Sequence, residues 1–132
     1  MNNANKVEVR IDSTDAGKII EVELTRDVCE GIYALCHVLG VAMGGRQESI
    51  KSAAAEVLRQ VPKDYDGIIE VPFTAEAAVS VLSLCSFAAR KHPEGEHMRW
   101  ISPLRDNIQS SLKGAGVRCQ VLLDAMVVFS SP

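Results

Sequence analysis

Few residues in this chain are placed to do chemistry, and each has a plainer structural reading beside it. Cys36 and His37 are a thiol and a base side by side. On a helix, though, neighbours point about 100° apart, so these two do not form a nucleophile–base pair with each other. Cys36 falls on an apolar stripe and reads as a core residue. His92 and His97 flank Pro93-Glu94-Gly95-Glu96. Imidazoles and carboxylates bind divalent metals, but a Pro-Gly loop holds ligands loosely and the spacing is not a helical i, i+4 pair. A solvated loop with no metal is the expectation.

Glu21 and Glu70 stand at matching places in two similar segments. Paired carboxylates suit acid–base work, because each raises the pKa of the other. With Tyr33 they form the candidate ligand-binding set, in a cleft between two halves of the chain. Strand alternation, however, turns Glu21 away from Ile20, Val22 and Leu24, which makes it a solvated charge in the plainer reading. Gly40, Gly44 and Gly45 follow a helix pattern rather than a strand, so they are not a phosphate loop. No Ser–His–Asp set has a recognisable local context. Catalysis is therefore unsupported, and no cofactor is implied.

The remaining candidates concern association. Trp100 is the one Trp of the sequence, set in Met98-Arg99-Trp100-Ile101. Trp, Met and Arg are enriched where interfaces carry their binding energy, although a Trp also closes the end of a core. Ala125-Met126-Val127-Val128-Phe129 is an apolar run close to the end of the sequence. Met98, Arg99, Trp100, Met126 and Phe129 are the candidate interface residues.

The elements that position these groups follow from periodicity. The chain has 132 residues, 47% hydrophobic and 5% aromatic, with a net charge of −3. That length suits one domain over residues 1–132 with a core of aliphatic side chains and Cys. The mild acidity gives no reason to expect nucleic acid. The apolar runs fall short of a membrane span. Met1–Lys6 is polar, with no secretory leader pattern, and none of the four cysteines forms a C-x-x-C pair. Reduced core thiols in a cytoplasmic protein are the expectation.

Residues 7–11 alternate like a half-buried strand, Asp12–Gly17 carries turn chemistry, and Lys18–Leu24 resumes strand character. An N-terminal antiparallel hairpin is predicted. Thr25 caps a helix that Gly44-Gly45 ends, and a second helix spans about Gln47 to Gln60. Ile68–Phe73 reads as a strand, with Pro72 arguing for an edge. Thr74 caps a third helix so apolar that it is either deeply buried or facing a partner. A fourth helix is predicted from about Ser102, with Pro103 in its first turn. Val117–Asp124 alternates as a strand, and residues 125–130 fit strand or helix equally.

An offset of 49 lays residues 19–39 over 68–88 with seven of 21 pairs identical, among them Ile-Ile-Glu-Val, Thr25/Thr74 and Cys36/Cys85. Both segments are a strand, a capping Thr and a helix, a possible internal ββαα/βαα pseudo-repeat. The fold class is α+β, a two-layer sandwich of one sheet with about four helices. Ser13-Thr14-Asp15 with Ile20-Glu21-Val22 resembles the opening of BTB/POZ-type adaptors. Glu70-Val71-Pro72-Phe73-Thr74-Ala75-Glu76-Ala77-Ala78 is similar to that family's last strand and following helix. The two pieces come in the right order and cover about a third of the chain. Residues 44–66 and the chain beyond Lys91 depart from the pattern, and no binding residues carry over.

Three functions fit. The foremost is a non-enzymatic, self-associating protein-interaction module, a homodimer. The alternatives are a ligand-binding or catalytic protein with a cleft at Glu21, Glu70 and Tyr33, and an immunity, inhibitor or mobile-element accessory protein.

Overall fold

The computed structural model describes residues 6–39 and 46–132. The chain is α+β. Its elements run β1 (Val7–Ile11), β2 (Ile19–Leu24), α1 (Arg26–Leu39), α2 (Gln47–Gln60), β3 (Ile69–Thr74), α3 (Ala75–Lys91), α4 (Met98–Gly114), β4 (Cys119–Leu123) and β5 (Met126–Ser131). The expected end of the first helix at Gly44-Gly45 lies outside the described residues.

The strands form two antiparallel sheets rather than one, in the orders β1-β4-β5 and β2-β3. The predicted β1–β2 hairpin is therefore corrected: each strand finds its partner far along the chain. The connection between them explains why. Asp15 is almost fully enclosed, and its Oδ2 accepts hydrogen bonds from the Arg118 backbone N–H (3.0 Å) and Nε (3.1 Å). Lys18 Nζ lies 3.1 Å from its Oδ1. Arg118 precedes β4, so this clamp ties the loop to β4. The Asp12 N–H extends the β1–β4 ladder by donating to the Arg118 carbonyl. Beyond the clamp the chain crosses to the other sheet.

There the two Ile-Ile-Glu-Val segments pair with each other. Val22 stands opposite Val71, Ile20 opposite Phe73 and Leu24 opposite Ile69. Under the 49-residue offset Val22 and Val71 are equivalent, so the register is symmetric about that pair. Each strand then runs into a helix capped in the same way. Thr25 Oγ1 accepts from the Val28 N–H (3.2 Å), and Thr74 Oγ1 from the Ala77 N–H (3.1 Å).

The helix α3 is the centre. It packs on both sheets and on α1, α2 and α4, and every residue from Ala78 to Ala88 is buried. Of the two readings of its excess apolarity, burial within the fold is the one observed. One hydrophobic cluster takes residues from all nine elements, from Val7 on β1 to Phe129 on β5. The four cysteines lie in it as free thiols, and burial pushes their pKa values up to about 11 for Cys29, Cys36 and Cys119 and about 12 for Cys85.

Two further boundaries differ from expectation. The helix α4 starts at Met98, not near Ser102, so Pro103 sits inside it. A proline in the second turn leaves only the Arg99 carbonyl without a helical donor, which is tolerated close to a helix start. Residues 126–131 are strand. Asp124 and Ala125 turn the chain with positive φ (53° and 69°), the geometry of a tight hairpin turn that matches strand twist. Asp124 also exchanges two hydrogen bonds with the Lys6 backbone, fixing the turn to β1.

Candidate functional site

The structure separates the sequence candidates. Glu21 and Glu70 are both on the exposed face of β2-β3, but not opposite one another. Glu21 faces Pro72, and Glu70 faces Glu23. Tyr33 lies on α1 towards α2, its ring edge-on to His37 at 5.6 Å, with Lys51 Nζ 5.7 Å from its centroid. None of these three lines the clefts described below. His92 and His97 meet edge-on at 6.2 Å. Among the described residues, no group of three or more His, Cys, Asp or Glu is arranged to hold a metal ion. None of the described helices is long and apolar enough to cross a membrane.

The candidate interface residues fall in two places. Met98, Arg99 and Trp100 form the first turn of α4, ahead of the helix start expected near Ser102. Trp100 is half-buried, and its six-membered ring lies over the backbone of α1 at Gly31. A Cβ placed on Gly31 would come within 2.5 Å of that ring. Gly31 is thus the seat of the Trp, a role the sequence signalled only as a helical glycine, which ordinarily weakens a helix.

Two adjoining clefts, of about 600 and 350 Å³, open on either side of this contact. They share Thr25, Val28, Arg99 and Trp100, so together they make one groove between α1 and α4. Its walls are mostly apolar. Val28, Leu35 and Val38 supply the α1 side, and Trp100 and Pro103 the α4 side. The helix α1 thus has two apolar stripes. Cys29, Ile32 and Cys36 enter the core, while Val28, Leu35 and Val38 face the groove. Val38 is 73% exposed, and Ile68, at the groove's other end, 64%.

The second place is β5. Met126, Val127 and Val128 are consecutive and exposed (66%, 52% and 43%), while Phe129 is turned into the core. A bulge produces this pattern. Val121 pairs with Phe129 and Leu122 with Val127, leaving Val128 as an extra residue. Leu122 points to the face opposite Val121 and Leu123 and lies outside the main cluster. Met126, Val127 and Val128 therefore make an outward apolar patch at the edge of the three-stranded sheet, while Leu122, across from Val127 on the central strand, is buried. No charged residue occurs from Met126 to Ser131, although charges, lysine above all, are a usual protection of sheet edges.

No family model, no curated protein and no solved structure matches the chain. The likeness to BTB/POZ-type adaptors thus rests on the short stretches that suggested it.

Proposed function

We propose that this protein is a non-enzymatic interaction module that self-associates, one copy meeting another through β5. The observation that carries this reading is the outward patch of Met126, Val127 and Val128 on an uncharged edge strand. An edge of this kind invites pairing with a second chain, and a two-fold contact sets the same patch on itself. The bulge at Val128 interrupts the backbone edge. The contact is accordingly made by side chains, the valines and Met126 with their copies, more than by a long ladder. Phe129 supports the patch from inside the core and does not touch the partner.

Light scattering after size exclusion tests the reading. The wild type at micromolar concentration is expected at twice the 14.3 kDa chain mass. Val127→Lys places a charge in the patch without entering the core and is expected to return a folded monomer. A wild-type monomer across that range would remove the proposal.

A further inference from the structure

We propose that the groove between α1 and α4 receives a basic amphipathic helix from a partner protein. The proposal rests on the interaction-module reading and names the partner chemistry of a second surface, separate from β5.

The shape argues for a helix. The α1 wall runs from Asp27 to Val38, eleven residues on, or about 16 Å of helix. Its apolar side chains, Val28, Leu35 and Val38, recur at helical spacing, the arrangement that interdigitates with a second helix. The long walls are helices, whose backbone groups are already engaged, and where β2 reaches the groove α4 takes its outer edge: the Glu23 N–H donates to Asn107 Oδ1 (3.3 Å) and the Glu21 carbonyl accepts from Ser111 Oγ (3.4 Å). An extended segment would find no ladder there, whereas a helix brings its own hydrogen bonds.

Charge argues for a basic one. Glu23, Asp27 and Glu96 line the groove against the single cation Arg99. No ion pair engages these carboxylates among the described residues. At the mouth, Glu23 stands directly across from Glu70 on the exposed face of β2-β3. Like charges directly opposite on neighbouring strands repel. Lys or Arg side chains on the incoming helix would relieve that repulsion, while its apolar face covers Trp100, Val38 and Ile68.

The test uses the full chain and two synthetic peptides of about four turns without Trp. Both carry Leu at i, i+3, i+4 and i+7; one has Lys on its polar face, the other Glu. Trp100 is the sole Trp and reports from the groove wall. The Lys peptide is expected to shift its emission to the blue and saturate, binding about tenfold or more tightly than the Glu peptide, with the gap closing as salt rises. Val38→Asp, at an exposed position, should weaken both peptides. The double variant Glu70→Lys with Glu96→Lys, which also gives Glu23 a cation across the strand, should erase the preference for Lys. The proposal is overturned if neither peptide gives a saturable change, if the two bind equally, or if the double variant keeps the preference. It is also overturned if the Lys peptide dissolves the dimer, since a second copy would then be the groove's occupant. The mass of the peptide-free protein reports separately on the β5 contact, so the two ideas can fail independently.

Discussion

The helices α1 and α3 are built from segments with the same opening and the same Thr cap, yet the fold uses them differently. The fold buries α3 on all sides, between two sheets and three helices. In α1 only the stripe of Cys29, Ile32 and Cys36 is buried, and a second stripe is left in a groove. Apolarity alone therefore does not mark a binding helix. The more apolar of the two is the scaffold, and the exposed apolar surface lies on α1 and on β5.

The largest effect that would break this contrast is in the core. Leu84→Ala on α3 should destabilise by about 3 kcal/mol in urea unfolding, because a fully buried leucine leaves a cavity. Val38→Ala on α1 should stay within about 0.5 kcal/mol, as surface changes do. Similar losses at both sites would mean that α1 is packed like α3.

The scaffold also has a polar fastening in Asp15. The Arg118 backbone N–H, followed by Lys18, holds its carboxyl down to about 2. An aspartate whose folded pKa lies below its unfolded value of about 3.9 stabilises the fold above that pH and stops doing so as pH falls through about 2. Asp15→Asn should lower the urea midpoint at pH 7 and reduce the loss of stability between pH 4 and pH 2. An acid limb unchanged in the variant would place the clamp's contribution elsewhere.

Gly31→Ala sharpens the other side of the comparison. The added methyl helps the helix by about 1 kcal/mol but pushes on Trp100, which costs about 1–3 kcal/mol. A net loss of about 1 kcal/mol with a red-shifted Trp100 emission is expected. The smallest effect is a gain. Ala125 holds φ at 69°, a region that favours glycine, so Ala125→Gly should stabilise by about 0.5–1 kcal/mol in thermal unfolding.

Local patterns carried much of this fold. The alternation of β1, the Thr25 and Thr74 caps and the α2 boundaries were all legible, because each depends on residues within one turn or strand. Pairing was not. The β1–β2 hairpin was the natural inference from two strands and a turn, but Asp15 reaches Arg118, 103 positions away, and no local rule contains that contact. The same holds for the groove. Val28, Leu35 and Val38 were visible as apolar positions, yet only the placement of α4 shows that they line an open groove. Trp100 stood out as the one Trp of the sequence, whereas its seat on Gly31 needed the tertiary structure. Phe129 was grouped with Met126 because a run of apolar residues does not reveal a bulge, and it is the bulge that sends one inward and leaves the other outside.

The proposed self-contact at β5 can be tested at a single residue. All four native thiols are buried, so an exposed cysteine reacts alone under mild oxidation. A two-fold contact through the valine patch brings residue 127 close to its own copy. Val127→Cys should cross-link to a disulfide dimer far faster than Ser13→Cys, an exposed control in the β1–β2 loop. Equal, slow cross-linking of the two variants would contradict the contact on which the proposed function rests.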